Sequence, residues 1–495
     1  MKVKLTKNKN LISLCIMFIV TFITQVLTIM KSSIVAGRFG TSIEMDAYNF
    51  SNSIVSFLFG FIASGISTVI IPYYMKKDDE KYINTFITAL YSIMAIIVFI
   101  LIVFRYKIIG VFSNKNEYFI NIACNILILL LLSNYLYSFS EITVAFFNCR
   151  KIYILPKIIN LFSQIIVIIA IILNKELTII QYSYIIAIGL IVNFVLDIFF
   201  AIKKKWKFSP TLLIQAPETK KIGKIFLPVV FSTGIYKLSL TVDSIIAARL
   251  DTGKITILSY SSQIVNMINT ILIGTILTYI YPKIVENITS KDGQEKFWKQ
   301  TMFFHIIICL VISGFICVGF EMIRLLFQNG NFTFEDSRVL FISTLIYVFG
   351  QQINIVRDLI YRYFYAMGNT KTTAQNGIVV SVCNIVISLV LVKFIGFYGI
   401  IIGTVIASLI SLIVIMYRFS KIVKYDINVL TILKDMILHN VYIFLTVYIV
   451  MLSKKIICLD NLFANIIIFG IEVILIFAII VFVCERKILK VMKDI

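Results

Sequence analysis

The sequence predicts an all-α polytopic membrane protein of about fourteen transmembrane helices, on the grounds of composition, run length and the absence of alternation. Of its 495 residues 60% are hydrophobic and only 14% are charged, and the mean hydropathy is +0.97. A soluble globular chain carries roughly 25% charged residues, so lipid is the solvent this chain is written for. Apolar runs of about 20 residues recur from end to end, each long enough to cross a hydrocarbon core of about 30 Å. Runs such as Ile93 to Phe104 are apolar on every side, whereas a membrane-barrel strand alternates apolar with polar positions.

Taken in order, the spans fall at 11–35, 46–74, 83–104, 118–147, 152–173, 178–201, 222–249, 256–282, 299–326, 338–366, 373–395, 397–418, 430–452 and 461–484. The first follows Lys2, Lys4, Lys7 and Lys9. It is too long for a signal-peptide core and no small-residue cleavage site follows, so it reads as an uncleaved first helix. An even number of spans puts both termini on one side. Roughly 30 Lys and Arg lie in the loops of that side and roughly 12 in the others, which makes it the cytoplasmic side of an inner membrane. The strongest marker is the loop with Lys203, Lys204, Lys205, Lys207, Lys220, Lys221 and Lys224. The net charge of +21 is spread between apolar runs and not along one face or tail. It therefore points to orientation and anionic headgroups, with no nucleic acid as partner.

Other chemistries find little support. Eight cysteines stand alone without a C-x-x-C pair, and His305 and His439 are the only histidines, which argues against a His-based metal site or a resident cofactor. No nucleophile elbow or phosphate loop occurs, and no loop is long enough to house an enzyme's acids and bases, so no enzymatic activity is expected.

An internal repeat organises the chain. Ser33 to Thr41 (SIVAGRFGT) and Ser244 to Thr252 (SIIAARLDT) share five of nine residues, and after a one-residue slip Ile54, Val55, Thr68, Ile70 and Pro72 align with Ile264, Val265, Thr278, Ile280 and Pro282. The copies are six spans apart. An even number restores chain direction, so the copies lie parallel about an axis along the membrane normal. The expected division is an N-lobe at 1–202, a cytoplasmic linker at 203–221, a C-lobe at 222–420, and a C-terminal helix pair with its tail at 421–495. Two six-helix lobes around a central cavity are the architecture of a transporter.

Ionisable groups at membrane depth usually face a cavity or a partner. Those in question are Lys31 in span one, Asp46 at the start of span two, Glu141 in span four, Lys237 and Asp243 in span seven, and Arg357 and Asp358 in span ten, with Arg362 one turn on. Span eight adds Gln263, Asn266 and Asn269. Two readings stand: Lys237, Arg357 and Asp358 are internal glue between helices, or Lys31, Lys237 and Arg357 line a cavity and bind an anionic headgroup.

The stretches AGRFGTSIEMDAY (36–48), LPVVFSTGIYKLSLTVDSIIAARL (227–250), LLFQNGNFTFEDS (325–337) and YFYAMGNTKT (363–372) resemble the MurJ/MviN lipid II flippase family, within the larger multidrug/oligosaccharidyl-lipid/polysaccharide exporter group. The resemblance implies fourteen helices, two lobes, a cationic cavity opening to either side, and a C-terminal helix pair forming a groove for a lipid tail. Against the family's pattern, the two span-one arginine positions read Gln25 and Lys31. The paired arginines of span two fall near Phe59 and Gly60, the Asp-Arg pair of span eight reads Ser262-Gln263, and Asp46 is kept. Lys237 stands where the family has a neutral residue. The substrate-binding set so implied is Lys31, Asp46, Lys237, Arg357, Gln25 and Gln263. A sodium site seen in some members maps onto Asp243, Asn384 and Thr404, with Ser388 in place of the second acid.

The function expected from this resemblance is a monomeric flippase that carries an undecaprenyl-pyrophosphate-linked saccharide of the lipid II type by alternating access, in contact with membrane lipids. The alternatives are a flippase for O-antigen, capsule or teichoic-acid precursors, and a multidrug or metabolite exporter.

Overall fold

The computed structural model describes residues 2–74, 80–213, 215–274, 291–423, 429–457 and 461–485. Among them every regular element is helical. The helices are α1 (Lys2–Phe39), α2 (Ile43–Tyr74), α3 (Glu80–Val103), α4 (Arg105–Ser113), α5 (Glu117–Cys149), α6 (Ile154–Leu173), α7 (Ile179–Lys203), α8 (Pro217–Ala248), α9 (Lys254–Ile268), α10 (Lys291–Phe327), α11 (Phe334–Ala366), α12 (Thr370–Ile395), α13 (Tyr398–Ser420), α14 (Val429–Ile456) and α15 (Leu462–Cys484). A π-helical turn, Asn269–Gly274, continues α9.

The predicted all-α membrane fold is what the chain adopts. The described residues carry eleven helices long and apolar enough to cross a membrane. The other three expected spans, 46–74, 222–249 and 256–282, include side chains outside the described residues, as does the part of the repeat at Thr278 to Pro282.

Local chemistry sets the helix ends. Thr178 and Gln181 close a capping box at the start of α7, and Thr333 and Asp336 close another at α11. Each pair satisfies backbone donors that would otherwise face hydrocarbon or headgroups. Asn116, Asn369 and Asn461 accept from backbone N–H groups at the starts of α5, α12 and α15. Within the spans, hydroxyls return to the carbonyl four residues earlier, as Thr24, Thr28 and Ser32 do along α1, which removes polar groups from lipid at no cost in partners. Large apolar side chains such as Phe99, Leu173 and Phe394 are exposed; they form the lipid-facing surface.

The chain divides into two compact units, Met1–Thr256 and Ile257–Ile495. In the first, α2 is central and packs on α5 and α8, while α7 packs on α5 and α6, and α1 on α6. In the second, α10 contacts α11, α14 and α15, and α13 lies between α11 and α12. Cys317, Val318, Val450, Phe469 and Val473 form an apolar core that docks α14 and α15 on α10.

Candidate functional site

The seam between α2 and α8 holds the most informative cation. Lys237 is half-buried on α8, and its chain lies over Gly60 of α2. A Cβ built on Gly60 would sit 2.9 Å from Lys237 Cε and 3.5 Å from its Nζ. The missing side chain at Gly60 is therefore the space the lysine occupies. One turn further along, Thr241 Oγ1 donates to Ser53 O at 3.3 Å and fixes the two helices in this register. Among the described residues no acid forms a salt bridge with Lys237.

The seam between α1 and α6 holds two more amines. Lys31 Nζ donates to Gln164 Oε1 at 3.4 Å, and Lys157 Nζ donates to Thr21 Oγ1 at 2.9 Å. Residue numbers rise together in the two pairs, so α1 and α6 run in the same direction. Both amines meet neutral oxygens, and among the described residues neither forms a salt bridge with a carboxylate. Lys157 was not singled out in the sequence, since it stands near a span end where lysine is usual. Gln25 is half-buried on α1, six residues before Lys31.

Asp46 has a different environment. It is fully buried, and both carboxylate oxygens are engaged. Gly253 N–H donates to Oδ2 at 2.6 Å, while Thr256 N–H and Thr256 Oγ1 donate to Oδ1 at 2.9 and 2.7 Å. The carboxylate thus caps the N-terminus of α9 from outside, where a helix's unpaired N–H groups and dipole favour an anion. The turn is tight: Gly253 has φ +89°, and a Cβ there would meet Thr41 Cβ at 2.7 Å. Lys115 Nζ donates to Leu250 O at 2.6 Å and pins the same turn. The two repeat-related turns, 39–42 and 249–253, therefore meet within the first unit.

In the second unit Arg357 bonds its neighbour Asp358, with Nε at 3.3 Å and Nη2 at 3.2 Å from Oδ1, and its guanidinium lies 5.7 Å from the Tyr361 ring centre. Its charge is thus shared with an acid, unlike those of Lys31 and Lys237. Gln263 is half-buried on α9 and Arg362 is exposed on α11.

Of the sodium set, Asn384, Ser388 and Thr404 come together. Asn384 Oδ1 accepts from Ser388 Oγ at 3.1 Å and from Thr404 Oγ1 at 3.0 Å, and both hydroxyls reach Ile400 O. These are hard, neutral oxygens of the kind an alkali cation takes, and they also satisfy one another across the α12–α13 contact. Asp243, the one acid of the set, is buried on α8 of the first unit.

The two histidines are in contact. His305 Nδ1 and His439 Nδ1 lie 2.8 Å apart in the core between α10 and α14, and Cys309 Sγ is 3.6 Å from His305. His439 Nε2 faces Glu485 Oε1 at 3.6 Å, to which Tyr442 donates at 2.9 Å. Among the described residues no group of three such side chains is arranged to hold a metal.

The family model described as Lipid II flippase MurJ matches residues 35–478. A probable lipid II flippase MurJ of Borreliella burgdorferi is 24% identical over 436 residues, covering 84% of each chain. One from Rickettsia prowazekii is 23% identical over 418 residues, 79% of this chain and 80% of that one. A solved structure of lipid II flippase MurJ in an inward closed conformation superposes with a TM-score of 0.79 at 22% identity, over 93% of this chain and 97% of that chain, and so shares the fold. With a family model spanning 35–478 and one architecture throughout, this chain is a member of the lipid II flippase MurJ family.

Proposed function

We propose that this protein moves an undecaprenyl-pyrophosphate-linked saccharide, a lipid II-type peptidoglycan precursor, across the cytoplasmic membrane by alternating access. The observation that carries the reading is the Lys237 amine held over Gly60 without a carboxylate partner among the described residues. A cation at membrane depth is costly and is kept where an anion replaces its water. A pyrophosphate has the matching problem, because its oxygens cannot leave water unless charged donors take over their hydration. In the first unit Lys237 and Lys31 supply such donors, and in the second Arg357 does, tempered by Asp358. No bond is made or broken, so the work is binding and release alone.

The curated relatives are named for lipid II, which favours this cargo over O-antigen, capsule or teichoic-acid precursors. The lysine-rich loops support cytoplasmic termini, and Asn384, Ser388 and Thr404 offer oxygens for sodium coupling. The test is transport of fluorescent lipid II in proteoliposomes, together with rescue of cells depleted of their own lipid II flippase. Wild type should flip and rescue, Lys237→Met should lose at least about tenfold in rate, equivalent to about 1.4 kcal/mol, and Lys237→Arg should recover part of it. A Lys237→Met protein that flips at the wild-type rate would refute the assignment of Lys237. Failure of wild type to flip or rescue would refute the cargo.

A further inference from the structure

Away from the cations assigned to the cargo, the second unit holds the chain's two histidines against each other. His305 of α10 is fully buried and His439 of α14 is 1% exposed. Their Nδ1 atoms lie 2.8 Å apart, with ring centres 5.0 Å apart. At that distance two bare nitrogens would oppose their lone pairs, and two N–H groups would oppose their protons. One Nδ1 therefore donates and the other accepts. Glu485 sets the direction. His439 Nε2 lies 3.6 Å from Glu485 Oε1, which also accepts from Tyr442 at 2.9 Å. A carboxylate only accepts, so Nε2 carries the N–H of a neutral His439 and its Nδ1 is bare. The bridging proton then belongs to His305 Nδ1, which leaves His305 Nε2 bare. That buried atom is indeed the one without a hydrogen-bond partner among the described residues.

The neighbouring elements make His439 the place for a positive charge. On α14, Asp435 stands one turn before His439 on the same helix face, the Tyr442 ring centre is 5.6 Å away, and Lys434 is exposed. From α10 comes Cys309, with Sγ 3.6 Å from His305 Nδ1, while Lys299 pairs with Glu295. The end of α15 brings Glu485 beside the exposed Cys484. On α11, Gln352 is neutral and bonded to Asn440, and Arg357 and Asp358 pair with each other. On α13, Arg418 bonds Gln375 and Lys421 lies over Tyr417. Among the described residues the salt-bridge partner of Glu485 is His439, with no Lys or Arg in that role. An opposite charge in contact offsets the cost of burying an imidazolium, and His439 has one where His305 does not.

We propose that His305 and His439 form a proton-binding site of the second unit, loaded through His305 Nε2 and with Glu485 as its counter-ion. An N–H bond forms at His305 Nε2, the one at His305 Nδ1 breaks, and one forms at His439 Nδ1. One proton is gained. His305 ends neutral with its N–H moved from Nδ1 to Nε2, and His439 ends as an imidazolium against Glu485. Loading turns the link between α14 and the end of α15 into an ion pair. The C-terminal helix pair thereby has two electrostatic states, and proton availability selects between them. No side chain assigned to the cargo takes part.

Because the chain has two histidines, nitrogen-15 NMR of the histidine-labelled full-length protein in liposomes reads every ring atom of the site. At mildly alkaline pH the spectrum should show Nδ1–H on His305, Nε2–H on His439, and a scalar coupling between the two Nδ1 atoms. On acidification across about pH 8 to 5, where histidine changes charge, His305 should move its proton to Nε2 and His439 should carry two. Glu485→Gln keeps an acceptor for Nε2–H but removes the charge, and should lower proton affinity at least about tenfold, one pH unit. Opposite tautomers, no coupling between the rings, an imidazolium at His305, or four nitrogens unchanged over this range would overturn the site. A Glu485→Gln transition at the wild-type pH would overturn the counter-ion. The wild-type spectra decide the site even if the variant fails to fold, and the readout does not depend on which lipid is transported.

Discussion

Replacing Asp46 distinguishes a residue that binds cargo from one that builds the fold. Its carboxylate accepts three hydrogen bonds at 2.6, 2.9 and 2.7 Å while fully buried. Asp46→Ala strands the N–H groups of Gly253 and Thr256 and the Thr256 hydroxyl in a site that water does not reach. Hydrogen bonds to a charged acceptor are worth about 1.5–3 kcal/mol each and a stranded buried donor costs about 1–3 kcal/mol. Because the three share one acceptor they do not add fully, and a loss of about 3–6 kcal/mol is expected. That is a large share of a typical folding free energy of about 5–15 kcal/mol. Asp46→Asn keeps one carbonyl oxygen but turns an amide N–H toward a donor, so it should fall between wild type and Asp46→Ala. Thr256→Val removes both the hydroxyl's bond to Asp46 and the one it accepts from Asn49 Nδ2 at 3.3 Å, and should cost about 1–3 kcal/mol. The assay is denaturant unfolding in micelles, run beside lipid II transport in liposomes. Stability and transport should fall together across the three variants. An Asp46→Ala protein of wild-type stability that cannot transport would refute the capping role and return Asp46 to direct contact with cargo.

Further expectations follow from close contacts elsewhere. Gly60→Ala meets only the flexible Lys237 chain at 2.9 Å, so it should unfold within about 0.5 kcal/mol of wild type, whereas Gly60→Leu should keep the fold and displace the amine. Transport assays should then show a modest loss for the first and a loss matching Lys237→Met for the second. Gly403→Ala is a harder clash, because the new Cβ would lie 2.5 Å from Ser388 Oγ and 2.9 Å from Ser388 Cα. Backbone cannot yield cheaply, and destabilisation of about 1–3 kcal/mol is expected in the same unfolding assay. Glu485, just beyond α15, is held below the usual carboxylate range by the hydrogen bonds it accepts from His439 and Tyr442, against the opposing effect of burial. A depressed carboxylate stabilises the fold above its unfolded value of about 4.3 and loses that contribution as pH falls through the folded value. Hydrogen exchange at the α14–α15 contact should therefore rise on acidification in wild type, and Glu485→Gln should flatten that response.

The fold was legible because its cause is local. Run length against bilayer thickness locates spans, and the Thr178–Gln181 and Thr333–Asp336 pairs announce helix starts from four residues of sequence. The repeat was legible for the same reason, since Arg38 and Arg249 mark equivalent helix ends. The site was legible only in part. A charged residue in an apolar run can be found by reading, but what neutralises it cannot, because the partner comes from another helix. Asp46 meets Thr256 across 210 residues of chain, and His305 meets His439 across 134. Arg357 shows the converse: its partner is the adjacent Asp358, and that pairing was open to reading in the sequence.

Lys237 and Gly60 make sense as one substitution spread over two helices. The resemblance puts an arginine pair of span two near Phe59 and Gly60, and here that stretch offers no charge. A glycine there leaves a slot on α2, and the lysine that fills it arises on α8, so the positive charge is delivered to the same seam from the opposite wall. An ammonium is a compact charge on a flexible stem and lacks the planar fork of a guanidinium. On the proposed function it would neutralise a pyrophosphate but fix its orientation less tightly. Discrimination among lipid-linked pyrophosphates then has to come from groups that read the sugar, so Lys237→Arg, given room over Gly60, should tighten binding of every such lipid alike. Competition between lipid II and an undecaprenyl pyrophosphate bearing a different glycan measures this, and a selective gain for one of them would show that Lys237 reads more than charge.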